Sequence, residues 1–280
     1  MSQLSGEDMS GREILKLIAF VLFAEACALF VRSWLQVTLE RQGIATWPAR
    51  NLSYLVIPPI LLVLLFPVWR DRLPALRAAF RWQGLTLRIA LIAVALGIAA
   101  RLAAVGGMIG FAGFGWTYDP AAVAPTVISF SCPSIALVAL HLLVSALLTP
   151  LIEEIINRGW FAQWLARYGD TAAIVGSAML FAIFHVPQTM IAALVFGLFL
   201  GKLFLDTRCL WGPIVAHAVY NSFIVLDWYC LRIVWAPAEI SPTTQAIGSL
   251  GFALVLVALA FCALVVSKKA TGTYPGDPLA

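Results

Sequence analysis

Eight long apolar runs constrain this chain more than any other feature, at about 13–35, 52–69, 86–112, 134–155, 171–187, 189–206, 211–235 and 244–267. Each is near the length, about 20 residues, that a helix needs to cross the hydrocarbon core of a bilayer. Composition narrows the choice further. Charged residues make up 11% of the 280 and hydrophobic residues 62%, whereas soluble domains carry about 25% charge. A water-facing surface cannot be covered from that inventory. Inside lipid, every backbone polar group must find its partner within the protein, which a helix achieves with its own carbonyls. The expected fold is therefore an all-α polytopic membrane protein, a bundle of about eight transmembrane helices read as one integral membrane domain over 1–280.

Two runs are less regular than the rest. The glycines of "GGMIGFAGFG" (106–115) blur the third, and the fourth continues past Pro150 into an amphipathic stretch ending near Tyr168. Orientation follows from the cations, because cytoplasmic loops of membrane proteins are enriched in Lys and Arg. Arg12, Lys16, Arg70, Arg72, Arg77, Arg81, Arg158, Arg167, Lys202, Arg208, Lys268 and Lys269 fall on the side of the termini. Only Arg32, Arg41, Arg50 and Arg232 fall opposite, with Arg88 and Arg101 inside the third run. Twelve against four puts both termini in the cytoplasm, and the expected location is the cell (inner) membrane of a prokaryote. The first run is too long for a cleaved leader despite "ACA" at 26–28, and is read as an uncleaved signal-anchor. The net charge of +4 is small, and no nucleic-acid partner is expected. Cys27, Cys132, Cys209, Cys230 and Cys262 show no metal-binding spacing and read as small apolar side chains.

Chemistry has to come from the few polar residues inside the spans, since a carboxylate in hydrocarbon costs about 3 kcal/mol on insertion scales. They concentrate in "EEIINR" (153–158), "FAIFH" (181–185) and "HAVYN" (217–221). Residues four apart share a helix face, while adjacent residues point about 100° apart. Glu154 and Arg158 are then a local ion pair with the acid N-terminal, a structural role. Glu153 has no such partner and shares its face with Asn157. Phe181 and His185 share a face, as do His217 and Asn221. Brought together in a polar chamber, these groups suit hydrolysis. Glu153 would take a proton from water, oriented by His185. His217 and Asn221 would donate to the oxyanion formed at a scissile carbonyl.

Glu-Glu-x-x-x-Arg, Phe-x-x-x-His and His-x-x-x-Asn, in that order, resemble the CAAX protease and bacteriocin-processing family of intramembrane endopeptidases, also called abortive-infection proteins. The resemblance covers about 134–230, read as the catalytic core. It implies an eight-helix fold with a chamber entered from the cytosol or laterally. It also implies a water-activating Glu153 beside His185, an oxyanion site at His217 and Asn221, and a membrane-associated protein or peptide as substrate, prenylated or not. The family usually places an aromatic residue before the arginine. Here Asn157 stands there, expected to hydrogen-bond to the Glu153 carboxylate.

Three other readings compete. Glu153, His185 and His217 could together hold Zn²⁺ with water in the fourth position, although no HExxH is present and each ligand comes from a different helix; the favoured reading has no cofactor. The same residues could line a transporter path, but no inverted repeat is visible and the polar groups cluster in one half. A scaffold with a dead site is the third. Glu25, Arg101 and His141 read as buried structural polar groups, and Gly197 with Gly201 as a small-residue face that lets helices approach within the chain.

Overall fold

The computed structural model describes residues 11–70, 73–112, 124–130, 134–185, 187–225 and 231–236. The eighth run, 244–267, lies outside them. Contacts divide the chain into two compact units, Met1–Asp71 and Arg72–Ala280.

In the first unit, α1 (Gly11–Arg41) is followed by α2 (Thr46–Tyr54) and α3 (Ile57–Trp69). Helix α1 continues six residues beyond the apolar run ending at 35, held by an i,i+4 polar ladder. Arg32 donates to Gln36 at 3.0 Å and Gln36 to Glu40 at 2.9 Å. The Arg32 guanidinium also lies 4.3 Å from the Tyr54 ring centroid. Gly43, with φ of 87°, makes the turn after α1 that a side chain would resist.

The second unit holds α4 (Leu73–Ala79), α5 (Leu87–Ala112), a 34-residue α6 (Ile135–Tyr168), α7 (Asp170–Ile183), α8 (Pro187–Thr207) and α9 (Trp211–Val225). The glycines at 106, 107 and 110 do not interrupt α5. Among the described residues, five helical segments are long and apolar enough to cross a membrane: Ile18–Arg41, Pro48–Pro67, Leu87–Ala104, Ile135–Tyr168 and Thr189–Thr207. The expected helical membrane architecture is thus what the structure shows. Helix α7 is shorter, 14 residues, or about 21 Å at 1.5 Å per residue.

One feature departs from an all-helical reading. The seventh run ends as helix at Val225, and Leu231–Ala236 forms a strand, β2, antiparallel to β1 (Ala124–Phe130). The sequences "APTVISF" and "LRIVWA" are rich in β-branched and aromatic residues, which favour extended backbone over helix. Pairing runs from Ala124 opposite Ala236 to Phe130 opposite Leu231, with an irregularity between Pro125 and Val127.

The core of the second unit is made by Leu96 and Ala100 of α5, Phe181 of α7, Phe196 and Leu200 of α8 and Ala216 of α9. Glycine lets the backbones meet. A Cβ on Gly97 would collide with the Ala216 carbonyl, and one on Gly201 would stand 3.3 Å from Cα of Ile174. Gly197 and Gly201 therefore serve contacts within the chain, α8 on α7.

Candidate active site

Helix α6 carries the first motif, and its hydrogen-bond register is not uniform. Leu142–Leu148 and Ile155–Ala162 are π-helical, flanking the α-helical turn Thr149–Glu154 that contains Pro150. Proline has no N–H to donate and crowds the preceding turn, so the ladder must shift around it. Single π turns of this kind recur at functional sites. The chain does not break at Pro150. It changes register, and Glu153 and Glu154 close the normal turn between two wide ones.

Glu154 and Arg158 are both fully buried, and Arg158 Nη1 donates to Glu154 Oε1 at 3.0 Å. The pairing read from the sequence is present, but it is more than local neutralisation. His217, from α9, donates its Nδ1–H to the same Oε1 at 2.9 Å. Arg158 Nη2 donates to the Gly197 carbonyl of α8 at 2.9 Å, and its guanidinium carbon lies 4.9 Å from the Phe181 ring centroid on α7. One buried ion pair thereby joins helices α6, α7, α8 and α9. A Cβ on Gly197 would stand 3.3 Å from that Nη2 and 3.1 Å from Cα of Ala178, so the bridge needs glycine there. Because Arg158 is buried and paired, it does not act as a loop cation, though the remaining bias toward the side of the termini stays one-sided.

Glu153 differs from its neighbour. Its side chain is 32% exposed, and its Oε2 stands 3.7 Å from Nε2 of His217. The imidazole therefore lies between the two carboxylates. A carboxylate can only accept, so the Glu154 contact fixes hydrogen on Nδ1 and turns Nε2 toward Glu153. Phe181 and Phe196 both present T-shaped contacts to the His217 ring, with centroids 5.4 and 5.8 Å away, completing its orientation.

His185 closes α7 just beyond its last turn. Its Nδ1 donates to the Phe181 carbonyl at 2.8 Å, and the two rings lie 4.6 Å apart. That bond leaves Nε2 of a neutral imidazole as an acceptor. His185 reaches the cluster through Phe181, which also touches His217 and Arg158. Asn221, one turn beyond His217, is buried and donates to the Ser145 carbonyl of the first π segment at 2.7 Å.

The Asn157 expectation needs correcting. Its Nδ2 donates to the Glu153 backbone carbonyl at 2.8 Å, with the residue 3% exposed. A short amide in a helix folds back on its own preceding turn more readily than it spans to a side chain. The other polar residues singled out from the sequence are accounted for. His141 is buried with Nδ1 3.4 Å from Ser145 Oγ, and Arg101 is buried with its guanidinium 5.4 Å from the Tyr220 ring. Glu25 is half-buried in the first unit. Among the described residues no three His, Cys, Asp or Glu side chains converge where a metal ion could be held. Glu153, His185 and His217 would have to rearrange to act as a zinc set.

The geometry is that of a largely buried polar cluster in which two carboxylates, a guanidinium and an imidazole meet. Residues 135–223 match the family model described as type II CAAX prenyl endopeptidase Rce1-like. The Rce1-like match contains all three motifs, from Glu153 to Asn221, so the resemblance read from them is borne out over that stretch. It supports a CAAX-type intramembrane protease in general. No curated protein matches the chain. Two contributors escaped the sequence reading. Phe196 looked like any apolar residue of its span, and Ser145 acts through a backbone carbonyl. Gly197 was visible as a small residue, though not as the acceptor for Arg158.

Proposed function

We propose that this chain is an intramembrane endopeptidase that hydrolyses a peptide bond near the C-terminus, or in the membrane-proximal part, of a membrane-associated protein or peptide. The observation that carries the reading is the division between the glutamates. Glu154 is spent on Arg158 and His217, while the partly exposed Glu153 faces His217 at 3.7 Å. Glu153 takes a proton from water as the water oxygen attacks the scissile carbonyl carbon. His185, its Nε2 an acceptor, orients that water. The developing oxyanion takes hydrogen bonds from His217 and from the second N–H of Asn221. As His217 donates through Nε2 it is an imidazolium; with Glu153 protonated by the water, that charge is balanced by the oxyanion it binds, while Glu154 balances Arg158. Collapse of the intermediate breaks the C–N bond, and the proton on Glu153 passes to the leaving amine. No cofactor enters this scheme. The Lys and Arg distribution supports both termini in the cytoplasm.

The test uses the full chain in proteoliposomes with C-terminal CAAX peptides, prenylated and unprenylated. Cleavage rate, substrate affinity and bound metal are measured on wild type, Asn221→Ala and His217→Ala. The reading expects turnover to fall by about 10²–10³ in Asn221→Ala with affinity nearly unchanged, as for loss of one oxyanion donor. Loss of bound zinc in His217→Ala together with its activity would replace the metal-free scheme. Ion flux without proteolysis would replace the enzyme by a transporter.

A further inference from the structure

The bond from Asn221 to the Ser145 carbonyl has a cause in α6. In an α-helix the Ser145 carbonyl would accept from the N–H of residue 149. Here the Thr149 N–H goes to the Val144 carbonyl, one residue further back, in the π register. In that register the donor for Ser145 would be residue 150, and residue 150 is proline, which has no N–H. The wide turn and the proline together strand one carbonyl inside the membrane, where an unpaired polar group is costly. Asn221 Nδ2 meets it at 2.7 Å from the neighbouring helix. Pro150 is itself fully buried, three residues before Glu153.

We infer that Pro150 and the π turn before it are a positioning device: they free the Ser145 carbonyl so that it seats the Asn221 amide for the reaction. This rests on the proposed function for its catalytic meaning, but the seating itself does not. An asparagine amide has two N–H groups and one oxygen in a plane. Anchoring one N–H on a rigid backbone carbonyl fixes that plane and leaves the second N–H aimed from a single orientation. His217, one turn away on the same helix, is fixed independently by Glu154 at 2.9 Å. The two oxyanion donors thus rest on α6 at points either side of Pro150, Ser145 before it and Glu154 after. Any ordinary residue at 150 would supply an N–H, satisfy Ser145 along α6 and release Asn221.

A double-mutant cycle on the full chain in detergent tests this with two readouts. By thermal unfolding, Asn221→Ala should lower Tm by several degrees in the native background, because the Ser145 carbonyl loses its donor. In a Pro150→Ala background the same change should cost little, because the new N–H at 150 takes the carbonyl. Additive Tm losses would overturn the inference whether or not the protein proves to be a protease. By turnover, Pro150→Ala should lower kcat with KM held. Its effect should vanish once Asn221 is alanine, whereas multiplying effects would mean that Pro150 acts elsewhere. Should Pro150→Ala not fold, Asn221→Leu in the native background decides: near-isosteric but with no N–H or O–H to donate, it must lower Tm although it fills the same space. An unchanged Tm there would overturn the inference.

Discussion

Glu154 Oε1 accepts from Arg158 at 3.0 Å and from His217 at 2.9 Å, so one carboxylate oxygen joins a structural cation to a candidate catalytic imidazole. Arg158 therefore bears on the chemistry without touching the reacting atoms. It holds Glu154, and Glu154 holds the tautomer and tilt of His217.

Glu154→Gln should be costly. It leaves Arg158 charged, fully buried and without its carboxylate, and breaking a buried pair in this way costs about 3–5 kcal/mol. Folded yield and Tm in detergent should both fall. Arg158→Met with Glu154→Gln should recover much of the loss, because the uncompensated charge is gone. A double variant as unstable as the single one would show that the hub stabilises through something other than charge.

Gly197→Ala should push α8 away from α7. The added methyl meets the Ala178 backbone at 3.1 Å and Arg158 Nη2 at 3.3 Å, and a backbone atom cannot swing aside. Overpacking of this kind costs about 1–3 kcal/mol. A lowered Tm should accompany slower cleavage, as Arg158 loses its carbonyl anchor. The check is Tm and rate measured together. Full activity at reduced Tm would separate the α7–α8 contact from the site.

Cys209 lies in the turn between α8 and α9, buried, with its thiol directed at the Arg81 carbonyl at 3.7 Å. Burial pushes the thiol above its ordinary range, against a smaller opposing effect of backbone hydrogen bonds from Trp211 and Gly212. Thiolate is therefore scarce at neutral pH, and it is the thiolate that reacts. Maleimide labelling of Cys209 should be slow in the folded protein and fast after unfolding. Fast labelling at neutral pH in the folded state would mean that the α4–α9 junction opens.

Without the buried Arg158, the remaining eleven-to-four division of cations makes a topological prediction. Reporter fusions after Lys269 and within 114–133 should report opposite sides of the membrane. The same side for both would contradict the orientation.

Much of the site was legible because each motif is an i,i+4 pair on one helix. That spacing exposed Glu154 with Arg158, Phe181 with His185 and His217 with Asn221. What spacing cannot show is how a residue is shared between helices. Glu154 looked complete with Arg158, yet it also serves His217 from a helix 63 residues away in sequence. Asn157 was placed on the correct face, but its amide turned to the Glu153 backbone. The π register on either side of Pro150 leaves no periodic signature over segments of seven and eight residues. The proline was its only visible sign. At 231–236 a hydropathy window counts apolar residues in the same way whether they form helix or strand, so the short ribbon read as the end of a span.

The division of labour between the glutamates is tested most directly by Glu153→Gln. Single-turnover cleavage of a membrane-associated CAAX peptide should be measured beside Tm for wild type and variant in the same detergent. The account predicts an unchanged Tm, because Glu153 is partly exposed and outside the Arg158 pair, with cleavage slowed by about 10²–10⁴-fold, the range for loss of a general base. Cleavage at the wild-type rate by folded Glu153→Gln would contradict it.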